Sequence, residues 1–257
     1  MVDGAPLVQV EGGRLRGRAD RGVAAFLGIP YVVPPFGARR MRPPEPPGRW
    51  EGERPAAGYG PTCPKGDYAP QNAALFPEVV IPGEECLNLN VWTPDPGGSG
   101  LPVLVWIHGG MFTNGSGSVA GYRGTSFARD GVVCVTINYR LAAEGFLFLD
   151  DGTANVGLLD QIAALEWVQG NIAAFGGDPG KVTVAGQSAG AMPSWPCLVP
   201  GACSARRSPK AGRPPRLSQR MLPSGLARCW PSRSGLRRPA RPSARCPSNG
   251  SSGRRPL

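Results

Sequence analysis

Residues 182–192 read VTVAGQSAGAM, a short apolar run that ends in Gly186-Gln187-Ser188-Ala189-Gly190. The pentapeptide fits G-x-S-x-G, the pattern of a serine set on a sharp turn between a strand and a helix. The spacing has a physical reason. The serine backbone is strained at such a turn, and the flanking glycines carry no Cβ, so strand and helix approach closely. The turn lifts the hydroxyl above the sheet and sets it at a helix N-terminus, where backbone N–H groups have no partner within the helix. The pentapeptide alone arises often by chance. A strand before it and a candidate helix after it make Ser188 a candidate nucleophile.

Upstream of the elbow, residues 155–175 read as a helix. Leu158, Leu159, Ile162, Leu165, Trp167, Val168 and Ile172 recur at three-to-four spacing. Gly176-Gly177 stops the helix, Asp178-Pro179 makes a turn, and KVTVAG is the next strand. LPVLVWIHGG at 101–110 and VVCVTINY at 132–139 are continuous apolar runs, expected as strands buried on both faces. LNLNVWTP at 87–94 alternates as a half-buried strand does. Residues 34–82, rich in Pro, Gly and Arg, predict a long irregular stretch of the kind that is either functional or packed on a neighbour. FLGIPYV at 26–32 is a short extended run, and LVQVEGGRLRGR at 7–18 predicts a β-hairpin around Gly12-Gly13. Buried strands alternating with a helix predict a mostly parallel sheet in a doubly wound α/β fold.

In such sheets the site lies beyond the carboxyl ends of the strands. Two loops fall there: the Ser188 elbow, and His108-Gly109-Gly110-Met111-Phe112 after VLVWI. Glycines in the second loop let backbone N–H groups approach a developing oxyanion, a large source of transition-state stabilisation. Either loop alone reads better as a Gly-rich connection with no chemistry. The pair, in this order and on these strands, predicts a site.

Charge divides the chain sharply. Residues 1–192 hold 14 Lys and Arg against 18 Asp and Glu, whereas residues 193–257 hold 14 Lys and Arg and no acid. The net charge of +10 therefore arises wholly beyond Met192. Four of the seven cysteines lie there too, Cys197, Cys203, Cys229 and Cys246. Cys134, inside VVCVTINY, reads as a buried strand thiol, and Cys63 and Cys86 are a candidate bridge that spacing alone does not establish. No apolar run approaches the roughly eighteen residues of a transmembrane helix. No basic-then-apolar leader is visible at the start, so a cytoplasmic location is expected, with secretion left open should the start site be misassigned.

From about Val8 to Met192 the chain resembles the type-B carboxylesterases, the α/β-hydrolases that include cholinesterases and many bacterial esterases. The resemblance rests on FLGIPY, PPFGARRMRPPEPP, GPTCPK, EECLNLNVWTP, PVLVWIHGGMF, VTINYRLAAEGFL and NVGLLDQIAALEWVQGNIAAFGGDPGKVTVAGQSAGA. It implies an α/β-hydrolase fold whose N-terminal half is residues 1–192. Ser188 would be the acyl-accepting nucleophile, and the N–H groups of Gly110, Met111 and Ala189 would form the oxyanion hole. His108 would shape that loop rather than act as base. Cys63 and Cys86 fall where many members place a disulfide, with two neighbouring free thiols as the other possibility. The reaction implied is hydrolysis of a small carboxylic ester by acyl transfer, with no metal, cofactor, nucleic acid or membrane, and with the oligomeric state open. Two departures stand out: the neutral Gln187 where many members carry an acid, and Glu144 where a small or apolar residue is usual.

A serine hydroxyl needs a base, a histidine oriented by an acid, which in this fold follow the serine in the order acid, then histidine. After Ser188 the sequence has no Asp, no Glu and no His. The remainder, from Pro193, has no hydrophobic period and is rich in Arg, Pro, Ser and Gly. It is expected to be disordered. One reading is a nucleic-acid-binding arm; another is a non-catalytic binding protein on an esterase-like scaffold. A third is favoured. Read from each codon's third base, residues 200–214 permit R-G-L-F-R-x-A-V-A-Q-S-G-A-A, which resembles the family segment after the elbow, and 214–228 permit an Ala-rich stretch containing A-E-D-A. The expectation is a frameshift just after Met192, so that 193–257 is an out-of-frame tail and the chain has at most residual activity. The strand VTVAG would then be left as a sheet edge.

Overall fold

A computed structural model of the chain describes residues 5–68, 70–73, 78–150 and 153–191. Met192 and the basic tail lie outside the described residues. The expected hairpin forms: β1 (Leu7–Val10) pairs antiparallel with β2 (Gly13–Arg16). The turn needs its glycines, because a Cβ on Gly12 would stand 2.2 Å from the Trp50 ring. β5 (Glu53–Pro55) adds parallel to β2 and completes a three-stranded sheet.

The main sheet contains β3 (Arg18–Asp20), β4 (Val23–Pro30), β6 (Asn88–Thr93), β7 (Leu101–Ile107), β8 (Val133–Ile137) and β9 (Gly177–Gly186), in the order β3-β4-β6-β8-β7-β9. The helices are α1 (Pro70–Ala73), α2 (Thr125–Arg129), α3 (Ala142–Phe146) and α4 (Val156–Asn171). The mostly parallel sheet expected from the sequence is here a mixed one. β7 runs parallel to β8 and to β9, but β3, β4, β6 and β8 pair antiparallel in succession. Connection length accounts for the first of these antiparallel pairs. Arg21-Gly22, with φ of 53° and 90°, turns β3 into β4 in two residues, which allows only an antiparallel pair. Parallel pairing needs a crossover, and the chain has one where α2 links β7 to β8 and another where α3 and α4 link β8 to β9.

β8 is buried throughout, as its continuous apolar run predicts. β7 is not: Val103, Val105 and Ile107 are buried, while Leu104 and Trp106 are half-exposed on the other face, where the Tyr122 ring lies 5.6 Å from that of Trp106. β6 departs in the opposite sense. Its alternating asparagines predict a wet face, yet every residue is buried. Asn90 accepts from the Gly28 N–H at 2.9 Å and donates to Thr136 Oγ1 at 2.9 Å, while Asn88 donates to the carbonyls of Pro61 and Glu85. Buried amides tolerate that position because they are hydrogen-bonded. Gly28, at φ 69°, marks the irregularity in β4 that one of them fills.

The expected helix over 155–175 is α4 followed by a tighter 3-10 turn, Ile172–Phe175, closed by Gly176 at φ 81°. Leu165, Val168, Ile172 and Phe175 bury against the sheet. The Asp-Pro turn is absorbed into β9 as a bulge: Gly177 pairs with Leu101 and Val182 with Val103, and Asp178 accepts from the Gly180 N–H between them. Among the described residues β9 has one neighbour, β7, and Val182 and Val184 are half-buried. No helix among the described residues is long and apolar enough to cross a membrane.

Candidate active site

β7 and β9 run parallel and end side by side, Ile107 opposite Gly186. Beyond that pair the chain turns at Gln187, whose N–H donates to the Ile107 carbonyl at 3.1 Å. Ser188 opens a 3-10 turn, Ser188–Ala191, with φ at 49°, the left-handed region that costs a non-glycine residue energy. The glycines on either side have no space for a side chain. A Cβ on Gly186 would lie 2.4 Å from the Gly190 carbonyl oxygen, and one on Gly190 would lie 2.2 Å from that of Ile107. The Ser188 residue is exposed, whereas Ala189 and Gly190 behind it are buried.

The loop after β7 lies against this turn. A Cβ on Gly109 would sit 3.3 Å from Ser188 Cβ and 2.8 Å from the Gln187 carbonyl oxygen. Gly110, Met111 and Phe112 then take φ of 116°, 57° and 62° in succession. The Gly110 carbonyl accepts from the N–H groups of Thr113 and Asn114, each at 2.9 Å, which closes the turn. Among the described residues neither Gly110 nor Met111 gives its own N–H to another backbone carbonyl. The structure therefore brings Ser188, Gly110, Met111 and Ala189 to one end of the β7–β9 pair.

His108 is buried in the base of this loop. Its ring stacks on Tyr139 with centroids 4.5 Å apart, its Nδ1 donates to the Gly109 carbonyl at 2.8 Å, and its own carbonyl accepts from the Tyr139 hydroxyl. Burial, reinforced by the Lys65 cation, pushes its pKa down to about 4 against the opposing Gly109 hydrogen bond, so the ring is neutral at pH 7. The nitrogen that an orienting carboxylate would bind in a catalytic histidine is held by a backbone carbonyl.

Gln187 accepts a hydrogen bond from Tyr122, which ties the elbow to the Trp106–Tyr122 ring pair. Glu144, for which the sequence offered no role, is the partner of Arg40, whose Nε stands 2.9 Å from both carboxylate oxygens. On the flank of the loop Phe112 packs against Phe146 at 4.8 Å, Met111 is 79% exposed, and Leu147, Phe148 and Leu149 are also exposed. Cys63 and Cys86 come together as the resemblance implies, but as free, buried thiols, with Cys63 Sγ 3.6 Å from the Cys86 carbonyl. Burial pushes the Cys63 thiol well up, away from the reactive thiolate. Among the described residues no group of three or more His, Cys, Asp and Glu could hold a metal ion.

The sequence reading missed the side chains that hold the loop from behind. Lys65 and Glu78 form an ion pair there and bind both polar groups of the Gly115 backbone. It also missed Arg140 and Asp160, a buried two-point pair that joins the end of β8 to α4. The available signals were a charge at 160 on the apolar side of a helix and a lysine inside GPTCPK.

A model of the carboxylesterase family matches residues 4–194. Para-nitrobenzyl esterase of Bacillus subtilis is 46% identical over 193 residues, which is 72% of this chain and 39% of that protein. Phenmedipham hydrolase of Pseudarthrobacter oxydans is 44% identical over 189 residues, or 72% of this chain and 38% of that one. The solved structure of Geobacillus stearothermophilus carboxylesterase EST55 superposes with a TM-score of 0.64 at 47% identity, covering 72% of this chain and 38% of its own. A solved PNB esterase gives 0.67 at 45% identity, covering 73% and 39%. The chain thus spans under two-fifths of the length of these relatives. With the mixed sheet, the serine elbow and the glycine loop beside it, these matches establish that the chain belongs to the carboxylesterase family and has the α/β-hydrolase fold over its N-terminal region.

Proposed function

We propose that residues 1–192 carry the nucleophile and oxyanion hole of a serine carboxylic-ester hydrolase acting on a small ester. Ser188 Oγ attacks the ester carbonyl carbon, and the N–H groups of Gly110, Met111 and Ala189 hold the oxyanion of the tetrahedral intermediate. The alcohol leaves, and water then releases the acid from the acyl-serine. One observation carries this reading: a serine at φ 49°, on a turn whose flanking Gly186 and Gly190 have no room for a side chain, with the glycine loop packed so close that a Cβ on Gly109 would lie 3.3 Å from the serine's own.

The base is the missing part. The one histidine, His108, has its Nδ1 on a backbone carbonyl, and no Asp, Glu or His follows Ser188 in the sequence. Without a base the serine proton must pass to solvent, so this chain turns over at a residual rate. A frameshift after Met192 accounts for that gap. In its favour, the family match ends at residue 194, just after the elbow, and the sequence beyond it holds 14 Lys and Arg and no acid. Sequencing the gene across codons 190–196 tests the frame; one uninterrupted frame, with no esterase-like reading in either alternative, refutes it. For the nucleophile, the chain is incubated with 4-nitrophenyl butyrate and followed by mass spectrometry. Slow nitrophenol release with butyryl on Ser188, absent in Ser188→Ala, is expected. Equal release by both proteins refutes the assignment.

A further inference from the structure

Gly115 sits directly behind the oxyanion loop. Its φ is 96°, and a Cβ there would lie 2.4 Å from the Gly109 carbonyl oxygen and 2.6 Å from His108 Nδ1. Its backbone is therefore in contact with the residues that aim Gly110. Both of its polar groups are held by side chains from the irregular stretch that precedes β6. The Gly115 N–H donates to Glu78 Oε2 at 3.1 Å, and its carbonyl accepts from Lys65 Nζ at 3.0 Å. Lys65 Nζ also donates to the Val79 carbonyl at 2.8 Å and to Glu78 Oε1 at 2.6 Å. An ammonium group has three protons, and these contacts use all three. The Lys65 side chain is 3% exposed and that of Glu78 18%. One more tie joins the same two segments: Asn114 Nδ2 donates to the Gly66 carbonyl.

We propose that Lys65 and Glu78 are positioning residues for the oxyanion hole, a buried ion pair that grips Gly115 by its N–H and its carbonyl and so fixes the direction of the Gly110 and Met111 N–H groups. The proposal rests on the oxyanion-hole reading above. The physical need is clear in the loop itself. Three successive residues at positive φ, two of them not glycine, relax unless their surroundings hold them. The Thr113 and Asn114 amides close the turn on its near side, and the Lys65–Glu78 pair anchors its far side. A pair buried this far is costly unless its hydrogen bonds are complete, and here two of those bonds go to one glycine of the loop.

Two readouts on the full chain test this. The first is amide hydrogen exchange over 109–117, with β6 and β8 as internal controls for the fold. The second is binding of phenylboronic acid, in which boron accepts a lone pair of Ser188 Oγ, the serine proton passes to buffer, and a tetrahedral anion forms that needs the oxyanion hole. Lys65→Met and Glu78→Gln are expected to speed exchange at Gly115 at least about tenfold, with β6 and β8 unchanged, and to weaken boronate binding by a similar factor. Lys65→Arg, which keeps the charge and the donors, is expected to restore most of both. Exchange at Gly115 unchanged in Lys65→Met and Glu78→Gln, or boronate binding unchanged while wild type still exceeds Ser188→Ala, overturns the proposal and leaves the nucleophile assignment standing. Wild type binding boronate no better than Ser188→Ala refutes the nucleophile assignment and with it the positioning role, whatever the exchange shows.

Discussion

A methyl group on Gly190 would sit 2.2 Å from the Ile107 carbonyl oxygen and 2.6 Å from that of His108, both parts of backbone with no free end to swing aside. Gly190→Ala is expected to cost on the order of 2–3 kcal/mol of stability, the range for forcing atoms into a packed site. Urea unfolding of the variant beside wild type measures it. His108 sets a second expectation. Its folded pKa of about 4 lies below the ordinary 6.5, so between those values the unfolded chain binds a proton that the folded chain refuses. Its contribution is complete above pH 6.5 and lost as pH falls towards 4, to a total of roughly 3 kcal/mol. The pH dependence of unfolding in wild type minus that in His108→Asn isolates this residue; no difference between the two contradicts it. At this scale the elbow and the glycine loop were legible in the sequence, because each is a local backbone requirement that only particular residues meet. Lys65 and Glu78 were not, since their role exists only once folding brings Gly115 between them.

Two ion pairs separate what matters from what merely touches when the elements pack. Asp160 on α4 takes Arg140 Nε at 2.8 Å, its Nη2 at 2.7 Å and its backbone N–H at 3.0 Å, all out of water, and Arg140 Nη1 reaches the Arg42 carbonyl. Asp160→Asn leaves a buried guanidinium without its counter-charge and is expected to cost about 3–5 kcal/mol. Glu144→Gln, which breaks the Arg40 pair where the Arg40 side chain is 60% exposed, is expected to cost under about 1 kcal/mol. Denaturant midpoints of the two variants give the contrast; equal losses contradict it. The strands and α4 were legible because their apolar residues keep a period. The mixed pairing was not, because strand direction carries no periodic signal and the two-residue turn at Arg21-Gly22 that makes β3 and β4 antiparallel is unmarked by one. The buried face of β6 was hidden for another reason. Asn88 and Asn90 look solvated by composition and are satisfied internally by partners distant in sequence.

Across the whole molecule, the acids end at Asp178 and the basic run begins at Arg206, and the family match ends between them, at residue 194. Among the described residues β9, which leads into the Ser188 turn, is an edge strand with Val182 and Val184 half-buried. Edges of that kind recruit other strands, so the chain is expected to self-associate at micromolar concentration. Size-exclusion chromatography with light scattering measures this; a stable monomer with well-dispersed amide resonances contradicts it. The central proposal is that this chain holds the nucleophile and oxyanion hole of a carboxylesterase, with no Asp, Glu or His after Ser188 in the sequence to activate them. Its most direct test is hydrolysis of 4-nitrophenyl butyrate by the 257-residue chain beside a chain translated in the shifted frame after Met192. The account predicts a rate at least about a thousandfold higher for the frame-shifted chain, the scale on which a missing triad member acts. Equal activity in the 257-residue chain contradicts it.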